Sequence, residues 1–136
     1  MRYILTILIS LLIFENLLAG NIKHRRIECS VDWDKERFKN IFFIISENQK
    51  TAQYHSATGF EYYKYIVDVQ FDINEIKFTY KPNSMMNYTL NRSDGTLEGV
   101  FGYYSCKPLP LIFSPEAFLK GEIKINLEKK RKENKF

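Results

Sequence analysis

The sequence predicts a mainly β protein: a single small antiparallel meander, or a partly closed β-barrel or sandwich, with a short C-terminal helical turn and a basic tail. Three observations favour this class. Aromatic residues make up 15% of the 136 residues, and large flat side chains suit a pleated, half-buried surface. Several segments alternate between apolar and polar residues, as strands with one buried face do. About 116 residues follow an N-terminal export signal, enough for one hydrophobic core but too few for two domains.

Residues 1–20 are typical of a cleaved signal peptide. A basic start precedes a mostly apolar run over residues 3–14, which is shorter than the ~20 residues of a membrane-spanning helix. Cleavage is expected after Ala19 or Gly20. The residues before that point resemble the lipobox of bacterial lipoproteins, but Asn21 stands where the lipid attachment requires Cys. We therefore expect an exported protein, periplasmic or secreted, without a membrane span or a lipid anchor.

Residues 21–113 are expected to form the β domain, beginning with an opening strand over residues 27–31. An apolar block within residues 37–46 predicts a strand buried on both faces, because Phe and Ile favour strands and the block is short. A helix is the alternative there. We expect this strand to pair, through a polar turn over residues 47–50, with a strand over residues 51–56.

The clearest alternation lies in the middle of the chain. Residues 63–71 place apolar side chains at every second position, and residues 75–81 repeat the pattern. The polar residues of a turn separate the two segments. The sequence therefore predicts that they form an antiparallel hairpin.

A second hairpin is predicted around Asp94 and Gly95. Residues 86–91 alternate before it, and a returning strand is expected over residues 96–106. Asp-Gly between alternating segments is a strong hairpin signal, since Gly adopts the positive φ that such turns require. Glycines at 99 and 102 inside the returning strand indicate a bulge or a close approach of another backbone.

The C-terminal region, residues 114–136, changes character after two closely spaced prolines. Ser114 is suited to cap a helix, with Pro115 at its first position and an acid in its first turn. Gly121 is expected to end this short helical turn. Residues 123–127 alternate again and predict a last edge strand before the tail.

The two cysteines, Cys29 and Cys106, are expected to form one disulfide, since an even count in an oxidising compartment favours pairing. A bridge that closes this long loop would stabilise the fold by roughly 4 kcal/mol in the chain-entropy treatment. Two buried free thiols are the alternative. Neither cysteine has neighbours at a spacing typical of a metal site.

Basic residues concentrate at the C-terminus of a chain whose formal net charge is +4. Such a cluster can bind anionic lipid headgroups or other anionic envelope groups. The alternative is a solvated terminus that keeps the domain soluble. Nucleic acid is not an expected partner of an exported protein, whereas another protein is. The candidates for binding an anionic surface are Lys129, Lys130, Arg131, Lys132 and Lys135.

No catalytic, metal or cofactor motif stands out. His24 and His55 have no partner at metal spacing, and His55 is expected at the surface or in a cross-strand pair. Residues 32–36 resemble the start of a calcium loop, but the pattern then breaks, so we interpret them as a solvated turn. Asn87 and Asn91 match the N-glycosylation acceptor pattern. Carboxylates that could serve a hydrolase are Glu61, Asp68, Asp72 and Glu75.

Aromatic residues in the predicted strands permit one specific idea about binding. If the strands curl into a barrel, inward rings could line a pocket for a small apolar or sugar-like ligand; alternatively they fill the core. The sequence therefore favours a non-catalytic exported binding or envelope-interaction module, with a small secreted hydrolase that uses Asp and Glu as the alternative. The rings are those of Tyr62, Tyr63, Tyr65, Phe71, Phe78, Tyr80, Tyr88, Phe101, Tyr103 and Tyr104.

Overall fold

The structure is a computed structural model and describes residues 24–31 and 40–134. The expected signal peptide, the acidic turn over residues 32–36 and Lys135 of the basic tail lie outside the described residues. The prediction of a strand within residues 37–46 is tested only from residue 40 onward.

The described chain forms an antiparallel β meander that closes into a barrel. Each strand pairs with the next one along the chain, and the last strand pairs with the first. The predicted mainly β class is confirmed. The strands are β1 (His24–Ser30), β2 (Ile41–Ser46), β3 (Thr51–Ala57), β4 (Tyr62–Phe71), β5 (Glu75–Thr79), β6 (Tyr88–Asn91), β7 (Thr96–Gly99) and β8 (Gly102–Leu109).

Side chains that alternate along the strands fill the middle of the barrel. Phe43 and Phe78 stack there with ring centroids 4.2 Å apart, and both are fully buried. β4 buries Val67 and Val69 while the residues on either side of each are exposed. β4 and β5 form the predicted hairpin, with Phe71 opposite the first buried residue of β5.

β2 is buried on both faces, as its continuous apolar sequence predicts. Its inward residues join the barrel core. Phe42 points outward and is still fully buried, because the rings of Phe113 and Phe118 lie 5.6 and 5.7 Å from it. The helical alternative for this segment is therefore wrong.

The single returning strand predicted over residues 96–106 is wrong, because this segment forms two strands. A turn at Val100 and Phe101 separates β7 from β8, with Gly99 and Gly102 paired across it. Gly102 has a φ of 135°, which residues with a side chain rarely adopt. The glycines thus mark a tight turn rather than a bulge. The predicted hairpin at Gly95, whose φ is 74°, is confirmed between β6 and β7.

The C-terminal helix begins where predicted but is much longer. Ser114 Oγ accepts a hydrogen bond from the Ala117 N–H at 3.2 Å, and the helix α1 (Pro115–Glu133) runs through Gly121. The edge strand predicted over residues 123–127 is therefore wrong. A glycine inside a helix costs only about 1 kcal/mol relative to Ala, and burial of Leu119 against the barrel offsets that cost.

α1 packs on the outer faces of β3 and β4. Leu119 is buried there, and Pro115 at the helix start is buried with it. The described part of the chain therefore has two apolar regions: the barrel interior and a smaller layer between the barrel wall and α1. No helix in the described ranges is long and apolar enough to cross a membrane.

The predicted disulfide joins the first and last strands of the barrel. Cys29 of β1 and Cys106 of β8 are cross-strand neighbours and are bonded to each other. The bridge therefore fastens the pair of strands that closes the barrel. A disulfide is consistent with an exported protein.

Candidate ligand-binding site

One end of the barrel opens into a cavity of about 410 Å³. We call it the tyrosine cleft. The loop from β3 to β4, the 3-10 turn Ser84–Met86 and the turn between β7 and β8 surround its mouth. The cleft is lined by Ile41, Tyr54, Ser56, Ala57, Thr58, Gly59, Tyr63, Tyr65, Asn83, Met85, Met86, Tyr88, Phe101 and Tyr104.

Four tyrosines form the floor and walls of the tyrosine cleft. Tyr54, Tyr65, Tyr88 and Tyr104 lie at inward positions of β3, β4, β6 and β8. The Tyr54 ring centroid is 6.1 Å from that of Tyr65 and 6.0 Å from that of Tyr88, and the centroids of Tyr88 and Tyr104 are also 6.0 Å apart. Such spacings are typical of interacting aromatic pairs. The four rings therefore support one another as a continuous aromatic surface.

Two phenol groups of this surface, those of Tyr88 and Tyr104, remain neutral over the physiological pH range. Burial raises the pKa of the Tyr88 hydroxyl above its usual value, and neighbouring Tyr54 and Tyr104 act in the same direction. Burial, followed by Tyr54, also raises the pKa of Tyr104. A neutral phenol can both donate and accept a hydrogen bond. The cleft thus offers neutral hydrogen-bonding groups on an apolar surface.

Gly99 leaves the space that the Tyr88 ring occupies. A Cβ at position 99 would lie 2.7 Å from Tyr88 Cε1, closer than non-bonded carbon atoms approach. The sequence indicated a close approach at this glycine, and the approaching group is a side chain rather than a backbone.

The predicted aromatic residues divide between the cleft and other places. Those that line the cleft are Tyr63, Tyr65, Tyr88, Phe101 and Tyr104. Phe71 and Tyr80 pack against the core, and Phe78 is part of it. Tyr62 lies beside α1, and Tyr103 is exposed on the barrel exterior. The predicted pocket and the predicted core filling both occur, at different levels of the barrel.

Tyr54 was missing from the predicted set although it lies at the centre of the cleft. It is 7% exposed and contacts the rings of Phe43, Tyr65 and Tyr88. Ala52, Tyr54 and Ser56 lie at alternate positions of β3, and alternate residues of a strand face the same side. This alternation is the sequence signal that identifies Tyr54 as an inward residue.

α1 holds the loop that borders the cleft. Asn126 Nδ2 donates a hydrogen bond to the Gly59 carbonyl oxygen at 3.1 Å, and Lys130 Nζ lies 4.6 Å from the centroid of the Phe60 ring. The C-terminal end of α1 and the cleft mouth are therefore at the same end of the barrel.

The candidates for anionic-surface binding occupy the end of α1. Lys129, Lys130, Arg131 and Lys132 are all exposed there, and positive charges in the last turn also interact favourably with the helix dipole. Lys135 lies outside the described residues.

A second cavity, of about 670 Å³, lies at the opposite end of the barrel. We call it the basal cavity. The packed middle of the barrel, with Phe43 and Phe78, lies between the two cavities. The basal cavity is lined by Arg25, Arg26, Ile27, Ile45, Ile76, Leu90, Asn91, Arg92, Gly95, Cys106, Lys107, Pro108, Leu109 and Leu111.

The structure does not place the predicted hydrolase carboxylates in either cavity. Glu61, Asp68 and Asp72 are exposed, and Glu75 is half-buried at the start of β5. None of the four lines the tyrosine cleft or the basal cavity. Among residues 24–31 and 40–134, no cluster of three His, Cys, Asp or Glu could hold a metal ion.

His55 points outward from β3, where Phe42 and Lys64 are its cross-strand neighbours. It is not at the surface, because α1 covers that face and leaves it only 2% exposed. Its ring nitrogens are both engaged, with Tyr62 Oη at 2.6 Å and Gln53 Oε1 at 3.1 Å. His55 thus has a structural place, away from both cavities.

Asn87 and Asn91, the predicted glycosylation acceptors, both use their side chains locally. Asn87 Oδ1 accepts a hydrogen bond from the Tyr80 N–H, and Asn91 Oδ1 accepts one from the Ser93 N–H. These contacts shape the turns before and after β6.

Comparison of the chain with protein-family models, with curated proteins and with solved structures gives no match.

Proposed function

We propose that this chain is an exported, non-catalytic binding protein that takes a small neutral molecule into the tyrosine cleft. The observation that carries the proposal is a cavity of about 410 Å³ floored by four tyrosine rings at one open end of the barrel. Volumes of this order are typical of small-molecule sites, which are mostly apolar with a few well-placed polar groups. An eight-stranded barrel is also just wide enough to hold one small ligand.

The chemistry of the cleft favours a largely apolar ligand with one hydroxyl, carbonyl or amide group. The neutral phenols of Tyr88 and Tyr104 can donate to such a group or accept from it. Met85 and Met86 at the rim are flexible and polarisable, so they can adapt to ligands of different shape. A charged ligand is disfavoured, because none of the described residues that line this cleft carries a charge to pair with it.

The test uses N-phenyl-1-naphthylamine, a neutral apolar dye with one N–H, whose fluorescence rises on entry into an apolar site. We expect the purified chain to bind the dye, and Ser56→Phe to abolish binding by filling the cleft. Tyr104→Phe should weaken binding by about two- to tenfold, the effect of one hydrogen bond.

Ser105→Phe is the matched control, because Ser105 is exposed on β8 and lines neither cavity. Equal dye affinity in Ser56→Phe and Ser105→Phe, with both variants folded, would contradict the proposal.

Export is part of the same proposal. The disulfide between Cys29 and Cys106 supports it, because such bridges persist in oxidising compartments, as does the signal-like sequence at the N-terminus. Expression of the full chain followed by fractionation tests it: we expect a shortened, oxidised product outside the cytoplasm. A full-length, reduced product in the cytoplasm would contradict it.

A second candidate function is docking on an anionic envelope surface through the end of α1. The favouring observation is that the exposed Lys129–Lys132 cluster lies at the same end as the cleft mouth, beside the half-exposed Phe60 ring. Basic residues near an anionic membrane contribute about 1 kcal/mol each.

Co-sedimentation with phosphatidylglycerol vesicles tests this candidate. Replacing Lys129, Arg131 and Lys132 with Gln should release the protein, whereas replacing the exposed Lys64, Lys77 and Lys81 should have little effect. Equal release by the two triple variants would indicate that net charge, and not this cluster, determines binding.

A further inference from the structure

We propose that the basal cavity is a second ligand site, one that binds a small amphiphilic anion such as a fatty carboxylate. The proposal does not depend on the tyrosine cleft, because the packed middle of the barrel lies between the two cavities. Its basis is an apolar floor beneath a group of cationic side chains.

The floor of the basal cavity is formed by the inward residues at this end of the barrel. Ile45, Ile76 and Leu90 lie on β2, β5 and β6 and are 1%, 3% and 8% exposed. Leu111, in the segment between β8 and α1, is 49% exposed at the edge of the same cavity. A hydrocarbon chain lying against this floor would cover the exposed surface of Leu111, at a gain of roughly 25 cal/mol per Å² of apolar area removed from water.

The lining also contains four cations, two of which have carboxylate partners among the described residues. Arg25 Nε lies 3.1 Å from Glu47 Oε1, and Lys107 Nζ lies 3.5 Å from a carboxylate oxygen of Glu28. Glu28 lies on β1, and Glu47 lies in the turn that follows β2. These two cations therefore contribute little net charge to the cavity.

Arg26 and Arg92 have main-chain partners instead of carboxylates in the described part of the chain. Arg26 donates to the Phe113 carbonyl oxygen at 2.8 Å, and Arg92 donates to the Asp72 carbonyl oxygen at 2.9 Å. A carbonyl oxygen accepts a hydrogen bond but does not neutralise a charge. Each guanidinium has five N–H donors, so donors remain for an anion.

The placement of Arg92 indicates the orientation of the ligand. Arg92 directly follows β6, two residues after the inward Leu90, and lies at the rim above the floor. A carboxylate can receive two parallel hydrogen bonds from one guanidinium. The anionic group is therefore expected at Arg92, with the hydrocarbon chain on the floor. A neutral amphiphile would leave the positive charge unmatched.

A matched pair of dyes tests this proposal. 1-Anilinonaphthalene-8-sulfonate has the ring skeleton of N-phenyl-1-naphthylamine with an added anionic sulfonate. We expect Arg92→Gln to weaken binding of the sulfonate dye about tenfold and to leave binding of the neutral dye unchanged. Lys77→Gln is the charge-matched control, because Lys77 is exposed on the outside of β5. Decanoate should displace the sulfonate dye, and decanol should not.

Two further variants show which cavity binds the sulfonate dye and whether the charge of Arg92 is responsible. Ser56→Phe fills the tyrosine cleft and should leave binding of the sulfonate dye intact, so that failure at one cavity is distinguishable from failure at the other. Arg92→Lys keeps the charge but loses the paired donors, so its affinity for the sulfonate dye should lie between those of the parent protein and Arg92→Gln. The affinity of the parent protein for this dye should fall as salt is added. The proposal would be overturned if Arg92→Gln bound the sulfonate dye as tightly as the parent protein does. It would also be overturned if Ser56→Phe lost binding of the sulfonate dye, or if decanoate and decanol displaced that dye equally well. If Arg92→Gln does not fold, an affinity for the sulfonate dye that salt does not alter would overturn it.

Discussion

His55 is an outward-facing residue that the C-terminal helix has turned into a buried one. The amide oxygen of Gln53 can only accept, so Nε2 carries the proton and donates to it, while Nδ1 accepts from the Tyr62 hydroxyl. Burial, followed by the positive charge of Lys64, lowers the pKa of His55 to about 4. Glu116 at the start of α1 opposes this shift and does not overcome it. The fold therefore requires a neutral imidazole.

The lowered pKa of His55 makes the free energy of unfolding decrease as the pH falls. An unfolded chain binds a proton at His55 below about pH 6.5, whereas the folded chain does so only near pH 4. Protonation therefore favours the unfolded state, and the free energy of unfolding should fall by about 2 kcal/mol from pH 7 to pH 4.5 through this residue. Urea unfolding at the two pH values measures the effect.

The matched variant for this prediction is His55→Gln, which removes the titrating group. It should lose stability at pH 7 because the bond to Tyr62 is disturbed, but its stability should depend less on pH over this range. The same pH dependence in the variant and the parent protein would show that other groups are responsible.

At the scale of secondary-structure elements, local patterns predicted most strands but not the extent of α1. Residues 123–127 place Ile, Ile and Leu at alternate positions, which satisfies the period of a strand. Leu119, Ile123 and Leu127 also satisfy the i, i+4 spacing of a helix. Because the sequence fits both the strand period and the helix period, tertiary packing decides which of the two forms. Here the segment packs on the outer faces of β3 and β4 as a helix.

A substitution at Gly121 tests the helix directly. Apart from the adjoining residues and the helix backbone, no atom of residues 24–31 or 40–134 lies within 4 Å of a Cβ added at Gly121, so Ala fits there without a clash. Because Gly is a poor residue inside a helix, Gly121→Ala should raise the free energy of unfolding by about 0.5–1 kcal/mol. Urea unfolding, with helix content followed by circular dichroism, measures the gain.

Serine at the same position supplies the control. Its helix propensity lies between those of Gly and Ala, so the stabilities should rank Ala, Ser, Gly from highest to lowest. An edge strand would not produce that order, and a random order would contradict the role of α1 as a continuous helix.

At the scale of the whole molecule, the closed barrel and its cavities depend on contacts that no local pattern contains. Tyr54 and Tyr88 lie on β3 and β6, which are not neighbouring strands. Their rings meet only because the sheet curls and closes. The sequence could therefore predict inward-facing aromatic residues, but not which of them would converge at an open end. The same applies to the cations of the basal cavity, because Arg25 and Arg26 are more than 60 residues from Arg92 and Lys107 in the sequence.

The disulfide stabilises the native state by linking β1 and β8, the two strands whose pairing closes the barrel. Cys29 and Cys106 are separated by 77 residues and lie on the two strands that meet last along the chain. In the chain-entropy treatment, such a bridge stabilises the native state by about 4 kcal/mol through its restriction of the unfolded chain. The pairing of β1 with β8 also covers two strand edges that would otherwise have unpaired backbone groups.

Reduction of the native protein isolates the contribution of the disulfide, because it changes no other covalent bond between the residues of the chain. We expect reductant to lower the free energy of unfolding by about 2–5 kcal/mol in urea. Hydrogen exchange of the reduced protein should quicken most at β1 and β8, because each strand in the middle of the meander keeps two short connections to its neighbours. The Cys29→Ala, Cys106→Ala double variant should match the reduced protein and should not respond to reductant. If hydrogen exchange instead quickened as much in β4 and β5 as in β1 and β8, the disulfide would stabilise the whole barrel and not specifically the pairing of β1 with β8.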